Sequence, residues 1–146
     1  MGSGNFLSDE IKITKVADAQ TAGTDTVNGT GVDMAGWDGV IFLTSFGTAA
    51  ANNALHAEQS SDDGDSDSYA DLEGSEVDVG SSDEDQWVDV LCPQERYVRP
   101  SALRGTSSTL GDIWAIQYRG RSVAADNVTA GTINGKQVYH PDEGTK

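Results

Sequence analysis

The acidic run Asp62-Asp63-Gly64-Asp65-Ser66-Asp67 holds the densest set of oxygen ligands in the chain. Four carboxylates so close together suit calcium, which prefers hard oxygen donors. The run departs from an EF-hand loop, because the Gly position of that loop is Asp67 here, although its closing position does hold Glu73. The run is therefore read as a solvated loop tip in which Asp and Gly supply turn geometry, and neither a metal nor a cofactor is expected. His56 and His140 are the only histidines. His56 shares a face of an expected strand with Glu58, which predicts an exposed polar side chain. His140 stands beside Pro141. No serine sits in a G-x-S-x-G elbow, and phosphate loops, H-E-x-x-H and C-x-x-C pairs are absent. No catalytic residue is assigned, and an enzyme is not expected.

Arginine is concentrated where acid is not. Arg96, Arg99, Arg104, Arg119 and Arg121 are all the arginines of the chain. Their planar forks suit carboxylates, either on a partner surface or among the chain's own acids, and both readings stay open. The whole chain carries 24 acidic against 9 basic residues, a net charge of −15. Such a chain is repelled by nucleic acid and by anionic membranes, so neither is an expected partner. A neutral or basic protein is. Abundant Asp with sparse Lys is also the composition of proteins from high-salt cytoplasms. The single cysteine, Cys92, excludes an intramolecular disulfide, and its apolar neighbours predict a buried thiol. Met1–Glu10 lacks the basic start and apolar stretch of a signal peptide, so the sequons at Asn28 and Asn127 are discounted. No run approaches the roughly 20 apolar residues of a membrane span.

The elements that position these residues read as short strands. Ile11 and Ile13 share one face of a first strand, opposite Lys12 and Thr14. Asn28-Gly29, flanked by Thr24–Val27 and Thr30–Met34, predicts a hairpin with a type I′ turn. Val40-Ile41-Phe42-Leu43 is continuously apolar and predicts a strand buried on both faces. A strand is expected from about Ala54 and a loop over Ser60–Ser68. Val77 and Val79 alternate with acids. Val88, Val90 and Cys92 share one face of the next strand, with Trp87, Asp89 and Leu91 on the other. Tyr97–Arg104 is extended, and Pro100 predicts an edge or a bulge there. Trp114, Ile116 and Tyr118 face one way in the last strand. Turn signals at short, regular intervals predict an all-β fold, a jelly-roll-like sandwich or barrel.

Three segments are expected: a flexible N-terminal arm over residues 1–8, a β domain over 9–118, and an extended C-terminal arm over 119–146. The C-terminal arm holds few, widely spaced apolar residues, and Val128, Ile133, Val138 and Tyr139 are its candidate contacts with a partner. They join the five arginines as candidate interface residues.

A family resemblance runs through residues 22–121. It comprises Asp33-Met34, Gly36-Trp37-Asp38-Gly39-Val40, Phe46-Gly47-Thr48, Gln59-Ser60-Ser61-Asp62-Asp63-Gly64, Ala70-Asp71-Leu72, Arg96-Tyr97-Val98-Arg99-Pro100 and Ala115-Ile116-Gln117-Tyr118. Their order and spacing resemble the small head decoration (cement) proteins of tailed phages and related tailed viruses. The resemblance implies a jelly-roll-like domain on the outer capsid surface. Its partners would be the major capsid protein and other copies of itself, as a dimer or trimer. It supplies no catalytic residue. The chain departs from the family in its acidity and its long tail. The alternative from composition and loops is a calcium- or carbohydrate-binding β module, using Asp62–Asp67 with Trp37, Trp87 or Trp114 as a stacking surface.

Overall fold

The computed structural model of the chain describes residues 6–121 and 127–145. Most of the expected N-terminal arm (residues 1–5) and residues 122–126 and 146 of the expected C-terminal arm lie outside the described residues. A 3-10 turn at Leu7–Asp9 is the one helical element among them. The rest is extended or turn, as the short apolar runs and frequent Gly, Asn and Asp require.

The strands are β1 (Lys12–Ala17), β2 (Gln20–Gly23), β3 (Val27–Asn28), β4 (Val32–Asp33), β5 (Trp37–Phe46) and β6 (Ala54–Ser60). They continue with β7 (Ala70–Asp71), β8 (Val77–Asp78), β9 (Glu84–Leu91), β10 (Tyr97–Leu103), β11 (Ser108–Leu110) and β12 (Ile113–Gly120). Two antiparallel sheets pack face to face. Sheet A runs β1-β12-β5-β9, with the short pair β11 and β2 continuing it beyond the end of β12. In sheet B, β10 lies between β3 and β4 on one side and β6 on the other. Strands β7 and β8 pair with successive parts of the far edge of β6. The core is the seam between the sheets, where Val40, Phe42, Phe46, Leu55, Ala57, Val98, Ala102, Ile113 and Ala115 are almost wholly buried. Burial of each larger side chain there contributes about 1.5–3 kcal/mol, so this seam is the main support of the fold.

The all-β class follows the sequence reading, but several local expectations do not. Asn28-Gly29 makes no hairpin: β3 and β4 both pair with β10 and read as one strand broken in the middle. The break lies opposite Pro100. Gly29 N–H donates to the Pro100 carbonyl at 2.8 Å, so the nitrogen side of Pro100 faces the break, where no ladder bond is needed. A Cβ on Gly29 would sit 2.6 Å from the proline ring, which explains the glycine. Pro100 is thus accommodated in an interior strand rather than at an edge, because its neighbour is interrupted. Val40 and Phe42 are buried but Ile41 and Leu43 are only half-buried, so β5 alternates instead of being covered on both sides. Cys92 is exposed. β9 ends at Leu91, and Cys92 turns the chain in a left-handed conformation, φ 54°.

The C-terminal segment makes contacts with the N-terminal one. β12 continues to Gly120, paired with Trp37. Asn127 then returns to the N-terminal segment: its amide donates to the carbonyls of Ser8 and Ile11 and its oxygen accepts from Ile13 N–H, at 2.7, 3.0 and 2.8 Å. Gln137 bonds Ser8 and Asp9, and Tyr139 meets Phe6 edge-on. The tail therefore packs on the segment that leads into β1, and Asn127 satisfies one backbone donor, Ile13 N–H, on the edge of that strand.

Candidate functional site

The two sheets expose very different outer faces. On sheet A, cross-strand register places side chains in rows. One row runs Ile13, Ile116, Ile41, Asp89; the next runs Lys15, Trp114, Leu43, Trp87; a third holds Tyr118, Gly39 and Leu91. Most members are half-buried by their neighbours, while Trp87 is 58% and Leu91 53% exposed. Beyond Tyr118 lies a depression of mixed character, lined by Leu7 and Ile11 but also by Glu10, Arg119 and Arg121. The result is a contiguous apolar face with charge at its edges: Lys15 on one side, Asp85 and Asp89 on the other.

Trp114, Ile116 and Tyr118 of β12 point away from the core. Ile113 and Ala115 face inward, and with them Gln117. A buried glutamine is costly unless bonded. Gln117 meets that requirement across the sandwich, donating to the Asp33 carbonyl of sheet B at 2.9 Å and contacting Met34 Sδ. Inward Gln117 forces Trp114, Ile116 and Tyr118 outward. Likewise Val16 is the buried residue of β1, leaving Ile13 on the outer face beside Ile116.

Gly39 completes the surface. A Cβ there would lie 2.2 Å from the Tyr118 ring, so the missing side chain lets the ring lie flat over β5. The Tyr118 hydroxyl donates to the Asp89 carboxylate on the far side of β5. Burial and, after it, this bond push the Tyr118 hydroxyl up to about 12.

Sheet B turns a polar face outward, and its charges are spent on each other. Arg99 Nε donates to Glu58 at 2.6 Å and its guanidinium stacks 4.1 Å over the Tyr69 ring, while Tyr69 donates to Asp63. Burial, then the Asp63 bond, raise the Tyr69 hydroxyl well above its ordinary range. His56 is buried, against the expectation of exposure, because residues 70–76 fold over this part of β6. Its Nε2 faces Glu58 and Asp71 at 3.4 and 3.1 Å.

The expected interface residues scatter. Arg96 makes a two-pronged pair with Asp33, at 2.9 and 2.8 Å, which holds that carboxyl below the ordinary range. Arg104 is buried and donates to the carbonyls of Asp25, Thr21 and Ser108 at 2.8, 2.8 and 2.9 Å, so it serves the fold. Arg121 lies 3.7 Å from Asp38, and Arg119 lies 6.0 Å from the centre of the Tyr118 ring. Arg96, Arg99 and Arg104 are therefore committed internally. Ile133 is buried in the tail, whereas Val128, Val138 and Tyr139 are exposed.

The acidic loop is occupied by its own backbone. Asp62 accepts N–H groups of Ser66 and Asp67, and Asp67 accepts the N–H and hydroxyl of Ser61. These bonds lower both carboxyls below the ordinary Asp range. Neither protein-family models, nor curated proteins, nor solved structures match this chain.

Proposed function

We propose that the chain is a virion structural protein that binds the outside of a tailed-virus capsid and bridges neighbouring major capsid subunits through the outer face of sheet A. The observation that carries this reading is the apolar face around Trp114, Leu43 and Trp87, with Leu91 beside it. Apolar surface rimmed by charge suits a protein partner, and a flat sheet face suits a macromolecule better than a small ligand, which needs a concavity. The rim acids Asp85 and Asp89, with a net charge of −15, favour a neutral or basic partner surface.

Two further features support it. Four strands β1-β12-β5-β9 face a second layer of β3/β4-β10-β6-β7/β8, an order we read as jelly-roll-like, an architecture common in viral capsids. The resemblance of residues 22–121 to decoration proteins points the same way. Many copies on one lattice would make modest single contacts effective together. The second reading, a carbohydrate-binding module, rests on Trp87 and Trp114, which flank Leu43 on one face.

Co-sedimentation with capsids stripped of this protein tests the proposal. The double variant Trp87→Ser/Leu91→Ser removes the two most exposed members of the face and should melt like the wild type. Its binding should be at least about tenfold weaker, since loss of a central aromatic anchor costs about 2 kcal/mol. Equal binding would contradict the reading. Wild-type binding to glycans, lost in the double variant, would favour the second.

A further inference from the structure

We propose that His56, Glu58 and Asp71 form a binding site for a divalent first-row transition metal of the zinc type. The site lies on sheet B, and the inference stands apart from the docking role of sheet A. His56 and Glu58 project from alternate positions of β6, and Asp71 enters from β7, in register with Glu58. One donor atom from each of the three lies within 4.8 Å of the others. His56 Nε2 is 3.4 Å from Glu58 Oε1 and 3.1 Å from Asp71 Oδ1. Ligands bound at about 2.0–2.1 Å in a tetrahedral shell lie roughly 3.3–3.4 Å from each other. The imidazole stands close to that spacing from each of its two carboxylates, and the three donor atoms need only a small adjustment within 4.8 Å to close on an ion.

The surroundings fit a cation. The His56 side chain is only 9% exposed, and its Nε2 is turned toward both carboxylates. A neutral imidazole has one Nε2 proton to share between two carboxylates; a divalent ion in its place contacts all three groups. Arg99 holds Glu58 by Oε2 and leaves Oε1 turned toward His56, the outer-shell support that ligating carboxylates use. Asp71 is 79% exposed on a shallow depression that Ser75 and Glu76 also line, so a remaining coordination position is open to water. One nitrogen with two oxygens suits zinc and its neighbours, not calcium, which takes six to eight oxygens. The ion would tie two-residue β7 to β6 and close residues 70–76 over the sheet.

The test is zinc binding by calorimetry, with melting curves, on the full chain carrying Cys92→Ser so that the exposed thiol contributes no ligand. One zinc per chain and a zinc-dependent rise in melting temperature are expected. Asp71→Asn alters an exposed carboxylate, so it should fold as before and bind zinc at least about tenfold more weakly. His56→Asn should abolish binding, and Asp65→Asn in the acidic loop should leave it unchanged. Hydrogen exchange at residues 70–76 should slow when zinc is added. Absence of a zinc-dependent rise, or a rise of the same size in Asp71→Asn, overturns the proposal.

Discussion

The outer face of sheet A and the outer face of sheet B are built from the same kind of strand and end in opposite states. On sheet B, Glu58, Arg99, Tyr69 and Asp63 form a chain of contacts, each charged group answered by a neighbour of the same molecule. On sheet A, Ile13, Ile41, Leu43, Trp114 and Ile116 lie side by side, and Trp87 and Leu91 stand more than half exposed. One face is closed on itself. The other leaves apolar surface in water, which a partner would cover. The difference teaches that burial and polarity have to be read together: His56 and Glu58 are more buried on their outer face than Trp87 is on its own.

Breaking the closed face should have the largest effect. Glu58→Ala leaves the guanidinium of Arg99 without its carboxylate, at a site where the two side chains are 12% and 24% exposed. Removal of one member of a buried pair typically costs 3–5 kcal/mol; partial solvation of Arg99 brings the expected loss to about 2–3 kcal/mol. Urea unfolding of the variant measures it, and a loss below about 0.5 kcal/mol would show that the network is ornamental to stability.

A smaller effect is expected on sheet A from Gly39→Ala. The new Cβ collides with the Tyr118 ring, and pushing the ring aside should cost about 1–2 kcal/mol. The displaced hydroxyl should lose part of its burial and its bond to Asp89, so its titration should move from about 12 back toward 10. Ultraviolet absorbance during alkaline titration reads that shift, provided the chain stays folded by circular dichroism over the range. An unmoved tyrosine titration would show that Gly39 does not position the ring.

The smallest effect belongs to the acidic loop. Asp62 titrates below its ordinary value of 3.8 because Ser66 and Asp67 N–H groups bond its ionised form. Its folded pKa is depressed, so its contribution to stability is complete above the unfolded pKa and is lost as pH falls through the folded one. The stability gap between wild type and Asp62→Asn should therefore be widest near neutral pH and narrow below about pH 4. A gap that widens on acidification would reverse this assignment.

Much of the fold was legible in the sequence. Alternation in Val88–Val90 against Trp87–Leu91 reads directly onto the two sides of β9. The limits appear where a local rule meets a tertiary contact. Asn28-Gly29 carries a hairpin signal, yet the chain needs Gly29 for the Pro100 ring, a residue far away in sequence. The period in β12 is plain, but hydrophobicity alone places Trp114, Ile116 and Tyr118 inside; Gln117 reverses it through a carbonyl on the other sheet. The arginines were visible as a cluster, but their partners Asp33, Glu58 and the carbonyls around Arg104 were not. For the same reason His56 was paired with Glu58 by spacing, while Asp71 joins only through the register of β7 on β6.

Hydroxyl-radical footprinting of the chain, free and bound to capsids stripped of it, tests the central claim most directly. Side-chain oxidation is read residue by residue, so the two outer faces are compared in one experiment. Docking through sheet A predicts that Trp87, Leu91 and Trp114 are protected on the capsid while Tyr69 and Tyr97 on the sheet B side react as in the free chain. Protection of Tyr69 and Tyr97, with Trp87 still reactive, would contradict it and place the contact on the opposite face.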